Sequence, residues 1–530
     1  MSASSQLQHL RRVVAVSLLL PLLCACTYYD YTTDNEPETP AAPTMPTEKY
    51  INLNIVVSSG SENTTRAPQG GENGDGREAG SKRENKVTGI TLMLYEDEDG
   101  INTSANTEID YIKYFPVTVD AYYRDEEGTD YGDKKRDEAR YSTGDQPIGA
   151  SLDFDKEYHA IVVANWDLTG TFQANVSTVK DIRDHLTTTI YSGSGIGIDA
   201  VNFVMSLEKD YTINFKEITP KADGNKLVYN IEKGIHIERL AARVDFWMKG
   251  ATYKTREDNA AYTTPGYEYS VWKSTDVNEP TSDDKFVLTA VTPFNLHNDK
   301  EYLFKQVNNG GVIKYLGKED DKSLVVDPNT GQKVSINATT YYANQLQTLV
   351  DYGYTQEHNT LKGAGVADLY QTTENLYSKI NTNESQFATF EGISDTHNFI
   401  LCYPKENALQ LASPLYYCAT GVAIEGDYYR YDATTGSYTK KHYVYYGYLR
   451  HQGEPWDSDH YPLTTAEELN KDLTAAGDQE TAMNFGVVRN NIYRISIDKI
   501  TEKGDEEKPE IIWQIKVKKW DEFKHDIIYM

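Results

Sequence analysis

A chain of 530 residues with a net charge of −28 has no cationic surplus to meet phosphates, which excludes nucleic-acid binding as its main task. The length suffices for two or more domains, and the acidic balance suits a soluble, self-repelling surface protein. Forty-one tyrosines against 14 phenylalanines favour β-strands and, more weakly, an adhesive surface.

Residues 1–26 read as an export signal ending in a lipobox. Arg11 and Arg12 form a positive n-region, and Val13 to Leu23 an apolar stretch too short to span a bilayer. It runs into Leu23-Cys24-Ala25-Cys26, where a small residue before cysteine resembles the site of bacterial lipidation. Cys26, preceded by Ala25, fits better than Cys24, preceded by Leu23. Cys26 is therefore the expected lipid attachment point, anchoring the precursor to a membrane in an oxidising compartment. An ordinary signal peptide with incidental cysteines is the alternative. Residues 27–49 carry Pro37, Pro40, Pro43 and Pro46 and read as an extended tether.

The stretch Tyr50 to Pro68 (YINLNIVVSSGSENTTRAP) combines a strand, a polar loop and one arginine. Ile51, Leu53, Ile55 and Val57 alternate with Asn52, Asn54 and Val56, which predicts one apolar and one mostly polar face. Ser58 to Thr65 is turn-forming, and Arg66 follows in the kind of segment proteases cut. A Gly/Glu/Asn-rich loop continues to about Asn85 and contains Arg77 and Arg83 as further cut sites. The four apolar side chains would contribute roughly 6–12 kcal/mol on full burial, so a domain that lost this strand would expose an apolar groove.

Strands then dominate. Ile90, Leu92 and Leu94 alternate before an Asp99-Gly100 turn, Tyr158 to Asn165 (YHAIVVAN) is nearly continuous apolar, and Asn202 to Ser206 resembles another strand. Ser177 is the expected cap of a short helix whose Val179, Ile182 and Leu186 share a face. A fresh start at Ile235 to Met248, after Glu232-Lys233, predicts a boundary near Gly234, giving domains at 50–234 and 235–530. Leu240, Ala242, Val244 and Phe246 alternate there with Ala241, Arg243, Asp245 and Trp247. Helices are expected around Asp368 to Ile380 and over Thr465 to Leu473, where Thr465 and Glu468 have capping-box spacing. Cys402 and Cys418 are candidates for a disulfide. At the C-terminus, Tyr493, Ile495 and Ile497 share one face, as do Ile511, Trp513, Ile515 and Val517. Trp520, Phe523, Ile527, Ile528 and Tyr529 keep the tail apolar, so it is expected to dock in its own domain or another's.

Taken in order, several segments together resemble the fimbrillins of Bacteroidales, the type V pilus subunits, with most likeness to the Mfa-type (minor fimbrium) major subunit family. They are the lipobox at Cys26, the strand and loop ending Thr65-Arg66-Ala67, and Val162 to Asn165 with Phe203 to Ser206. ERLAARVDF at Glu238 to Phe246 follows, then GVVRNNIYRISI at Gly486 to Ile497 with a Trp-containing final strand. The resemblance implies export as a lipoprotein to the outer membrane and cell surface. It implies cutting by an arginine-specific, gingipain-like protease between Arg66 and Ala67, and loss of the strand Tyr50 to Val57. The vacated groove would accept a strand from another copy, drawn from Trp513, Ile515, Val517, Trp520, Phe523, Ile527 and Tyr529. The head-to-tail contact does not close on itself and builds a fibre. The expected fold is mainly β, with two tandem transthyretin-like/Greek-key β-sandwich domains and short decorating helices. Expected partners are copies of the chain, other fimbrial subunits at tip and base, the protease, and a host or bacterial surface receptor whose identity stays open.

No enzyme chemistry is expected. HExxH, Walker A and GxSxG patterns are missing, and the eleven histidines have no metal-ligand spacing. Glu96 to Asp99 with Gly100 reads as a solvated turn, because a calcium loop would need an acid where Tyr95 stands. Gly193, Gly195 and Gly197 read as a loop. No cofactor or metal follows from the sequence. A stalk subunit is the favoured role, with a tip or anchor subunit and a surface glycan-binding lipoprotein as alternatives.

Overall fold

The computed structural model describes residues 48–57, 77–79, 84–117, 139–149, 152–191, 202–273, 283–294, 296, 300–309, 311–316, 323–326, 328, 333–336, 339–342, 371–372, 398–408, 420–449, 486–502 and 509–521. These residues are nearly all β. The principal strands of the first part are β1 (Glu48–Val57), β2 (Arg77–Ala79), β3 (Gly89–Tyr95), β4 (Tyr111–Pro116), β5 (Ala139–Ser142), β6 (Gln146–Pro147), β7 (Glu157–Ala164), β8 (Met205–Leu207) and β9 (Lys226–Arg239). Those of the second part are β10 (Arg243–Trp247), β11 (Thr252–Lys254), β12 (Gly266–Ser270), β13 (Lys285–Phe294), β14 (Asn398–Cys402), β15 (Gly421–Asp432), β16 (Ser437–Tyr448), β17 (Asn491–Thr501) and β18 (Glu510–Asp521).

The first sheet has the order β4-β3-β7-β8-β9-β1-β5, with β6 also paired to β1. All seven residues of β3 and seven of the eight in β7 are buried, so both faces of this sheet's centre are covered. Beside the alternating Ile90, Leu92 and Leu94, Thr91, Met93 and Tyr95 on the other face are buried as well. Beyond β7, Asn165 adopts φ +62°, a left-handed conformation that asparagine tolerates better than branched residues. Its side chain accepts from the Thr88 backbone N–H and donates to the carbonyls of Lys86 and Phe203. That is the task of the asparagine closing the VVAN stretch. The Asn202 to Ser206 strand begins later than expected, at Met205.

The short helix α1 (Val179–Arg183) is capped by Thr178, not Ser177. Thr178 and Asp181 satisfy each other's backbone N–H groups in a capping box, while the Ser177 hydroxyl accepts from the Gln173 N–H. Val179 and Ile182 are buried, but Leu186 lies past the helix in a two-residue strand and is exposed. The helix expected around Asp368 to Ile380 is corrected at Gln371–Thr372, a strand paired with Ala290 and Val291 of β13. Thr465 to Leu473 lies outside the described residues.

A second sheet, β2-β18-β17-β10-β14, faces a third, β11-β12-β13-β15-β16, across a shared apolar core. Val244, Phe246, Phe399, Tyr493 and Ile495 from the second sheet meet Tyr267, Phe286, Leu288, Val422 and Ile424 from the third, giving a β-sandwich. Gly234 lies inside β9. The chain leaves the first sheet after Arg239 and enters the second at Arg243, with Ala241 in the first core and Ala242 in the second.

That crossing carries the densest buried charge among the described residues. Arg239, Arg243, Arg489 and Arg494 are all at most 1% exposed. Arg243 donates to both carboxylate oxygens of Asp245 at 2.8 Å, and Arg494 adds a bond at 2.9 Å. Burial alone would raise the Asp245 carboxyl, but these two guanidiniums hold it below the usual range. Arg243 also reaches Glu84 at 3.4 Å, and the Tyr403 hydroxyl donates to Glu84 at 2.7 Å. Arg239 donates to the Glu84 carbonyl and to the side chains of Asn85 and Asn490. Arg489 donates to Glu406 and to the carbonyls of Tyr302 and Leu303. The ERLAARVDF and GVVRNNIYRISI segments thus supply the four arginines, and Glu84, Asn85, Tyr403 and Glu406 from other segments help to meet them.

Replacing Arg243 with Met strands Asp245 beside a single remaining arginine. Urea unfolding is expected to show a loss of about 3–5 kcal/mol, the usual cost of breaking a buried pair.

Glu301 tests the network's edge. It is fully buried beside Glu406, accepts that residue's backbone N–H at 3.2 Å, and burial pushes its pKa up to about 8. A carboxyl raised in the fold favours folding most below its ordinary pKa of 4.5, and that contribution is lost as pH rises to about 8. Glu301→Gln is expected to remove this slope, narrowing the difference between urea midpoints at pH 5 and pH 8. An unchanged difference would show that Glu301 is ionised in the fold.

Candidate functional site

β1 is extended because Ile51, Leu53, Ile55 and Val57 alternate with side chains that face the other way. All four are fully buried in the first core. The strand does not form a hairpin with its neighbour in sequence. It runs parallel to β9, from Glu48 opposite Lys226 to Val57 opposite Ile237, and antiparallel to β5 and β6 on its other side. It thus fills a slot one place in from the sheet's edge.

Polar side chains pin its register. The Leu53 N–H donates to Thr143 Oγ1 at 3.0 Å, and the Thr143 N–H returns a bond to the Leu53 carbonyl at 3.1 Å. Ser142 donates to Asn52 Oδ1 at 2.7 Å, and Asn54 donates to the Ile231 carbonyl at 3.0 Å. Between Leu53 and Ile55 the pairing jumps from Ile231 to Ile235, so β9 bulges past β1 at Glu232 to Gly234. Val56, expected on the polar face, is fully buried there, because a Cβ on Gly234 would stand only 2.4 Å from Val56 Cγ2. The glycine makes room for the fifth apolar side chain of β1. Periodicity alone misses it, since the bulge is a property of the partner strand.

Withdrawal of β1 would leave nine residues of β9 without their partner along one edge, with the apolar floor open beneath. Such a slot selects an extended segment with apolar residues at alternate positions; main-chain bonds supply affinity and side-chain pockets the register.

The other expected site residues fall in different places. Cys26, Arg66, Ala67, Arg83, Cys418, Phe523, Ile527 and Tyr529 lie outside the described residues. Arg77, expected in an open loop, is the first residue of β2 and pairs with Lys519. Trp513, Ile515, Val517 and Trp520 belong to β18, which pairs with β17 of the same chain from Asn491 opposite Lys519 to Thr501 opposite Glu510. Cys402 carries a free thiol, not a disulfide; it is buried in β14, and burial pushes its pKa well up.

Among the described residues, no group of three or more His, Cys, Asp or Glu side chains is arranged to hold a metal ion. No described helix is long and apolar enough to cross a membrane. The acidic turn is organised by its own bonds. The Asp97 carboxylate accepts from the Thr107 hydroxyl at 2.6 Å and from the Asp99 N–H at 2.9 Å, and hydrogen bonding to its charged form holds its pKa down at about 2.

No protein-family model matches the chain, and no curated protein matches it. Solved structures with some similarity include the tip fimbrial protein Mfa3 from Porphyromonas gingivalis with a C-terminal truncation. That match has 8% identity and a TM-score of 0.34 over 88% of this chain and 99% of the other. A fimbrial assembly protein from Parabacteroides distasonis matches at 10% identity and a TM-score of 0.31, over 88% of this chain and 94% of the other.

The fit of β1 is testable through one contact. Gly234→Ala is expected to destabilise the chain by about 1–3 kcal/mol through overpacking against Val56. Adding Val56→Ala should recover much of that loss in a double-mutant cycle. Simple additivity would mean that Gly234 and Val56 do not meet.

Proposed function

We propose that this chain is a structural subunit of a cell-surface fimbria, exported as a lipoprotein through Cys26 and activated by a cut after Arg66. β1 then leaves, and a strand from another copy takes its place. The observation that carries this is the seating of β1. The strand that precedes the cleavable polar run buries Ile51, Leu53, Ile55, Val56 and Val57 completely, yet it joins its sheet through partners distant in sequence. Its loss would break no hairpin. Exposing five apolar side-chain sites at once creates a strong drive for refilling, about 1.5–3 kcal/mol for each side chain. The polar run Ser58 to Thr65 gives the protease access, and the lipobox holds the precursor at the outer membrane until the cut. The chain's work is assembly and adhesion, and it performs no catalysis.

A tip subunit, accepting a strand without donating one, is the second reading. The long pairing of β18 with its own β17 favours it, because a donor must first give up that pairing or use residues beyond Asp521.

Treating the purified, unlipidated precursor with an arginine-specific protease separates the roles. A stalk subunit gives a clean cut after Arg66 by intact mass, followed by filaments in light scattering and electron microscopy. Cutting without growth assigns the tip role. Resistance throughout Arg66 to Arg83 overturns assembly by strand loss. Arg66→Lys combined with Arg77→Lys and Arg83→Lys should abolish both the cut and the growth.

A further inference from the structure

β2 joins the region of the cut to the last described strand. It pairs in parallel with the end of β18, Arg77 opposite Lys519, Glu78 opposite Trp520 and Ala79 opposite Asp521. β17 reaches only to Lys519, which faces its first residue, Asn491. Trp520 and Asp521 run past it, and among the described residues β2 is their only strand partner. Shortly after Ala79, Glu84 and Asn85 are locked into the buried arginine network. β2 is therefore anchored from its C-terminal side, independently of the chain before it.

We propose that β2 is a clasp holding the end of β18 in its own sheet, and that the position of proteolysis decides whether it stays shut. A cut after Arg66 leaves all three residues and their anchor in place. A cut after Arg77 falls inside the clasp. Water adds across the Arg77–Glu78 peptide bond, leaving a carboxylate on Arg77 and an amino group on Glu78, and the first of the three pairs loses its tie to the other two. Because a protease needs unpaired, extended backbone, the clasp also shields its own bond, and Arg66 is cut first. Opening the clasp frees Trp520 and Asp521, and with them the start of the tail that follows. The link from there to fibre growth rests on the strand-exchange reading above; the clasp itself does not.

Hydrogen exchange of the full-length, unlipidated chain tests this. Ala79→Pro removes a backbone donor and holds φ near about −65°, away from the parallel-strand value of about −120°. Because successive amides of a strand point to opposite sides, either Trp520 or the pair Lys519 and Asp521 faces β2; the amides on that side are expected to exchange roughly tenfold faster, with those of Tyr493 to Ile497 unchanged. Unchanged exchange at Lys519 to Asp521 overturns the clasp. A second comparison uses chains that can be cut only at Arg66 (Arg77→Lys with Arg83→Lys) or only at Arg77 (Arg66→Lys with Arg83→Lys). Exchange at the end of β18 should stay slow in the first and become fast in the second; equal rates overturn the proposal. Refusal of the second chain to be cut until Ala79→Pro is added supports it. None of these readouts needs filaments, so absence of filaments counts against strand exchange alone.

Discussion

Burying four arginines at the crossing between two apolar cores constrains the rest of the molecule. A guanidinium removed from water must be met by carboxylates and carbonyls in good geometry, or the fold loses several kcal/mol. Arg243, Asp245 and Arg494 meet this demand with bonds of 2.8–2.9 Å. Doing so fixes the parallel pairing of β10 with β17, since Asp245 sits opposite Arg494 in that register. It also fixes the entry to β3, because Glu84 and Asn85 must reach Arg243 and Arg239. Segments far apart in the chain are thus held at one point by charge, while the cores on either side are held by apolar burial.

This division of labour bears on the proposed loss of β1. β1 contributes to the first core but makes none of the bonds of the arginine network described above. Its partners β9, β5 and β6 each keep other attachments: β9 pairs with β8, Tyr141 of β5 donates to the Asn85 carbonyl at 2.7 Å, and Lys113 of β4 donates to the Pro147 carbonyl of β6. The walls of the slot stand on contacts that do not involve the strand filling it. β1 is held by apolar side chains and main-chain pairing, whereas the electrostatic junction is specific and is built without it. The clasp formed by β2 belongs to the second class, being tied through Glu84 to the junction.

Much of this architecture is legible in local pattern. The alternation of Ile51, Leu53, Ile55 and Val57 correctly marks β1 and its buried face, because a strand repeats every two residues and a sheet must hide its apolar side. The apolar run at Tyr158 to Asn165, the strands at Asn491 to Ile500 and Ile511 to Val517, and the mainly β class are legible for the same reason. The absence of helix around Gln371–Thr372, the exposure of Leu186 and the burial of Val56 are not, since each depends on what another segment places alongside. One clue was available but not decisive. Arg243 and Asp245, two apart in an apolar strand, share a face with opposite charges, the pattern of a buried pair.

The sequence by itself determined that β1, β7, β17 and β18 are extended and that polar, turn-forming runs interrupt the strands, because these follow from side-chain periodicity and turn chemistry over a few residues. Only the tertiary structure decided that β1 lies parallel to β9 in a slot one strand from the edge, that Gly234 opens space for Val56, and that β2 closes over the end of β18. It alone gathered Arg239, Arg243, Arg489 and Arg494 into one buried cluster. The physical reason is common to all four. Strand partners and ion partners are chosen by the burial and hydrogen bonding of segments far apart in the chain, and no local pattern carries that information.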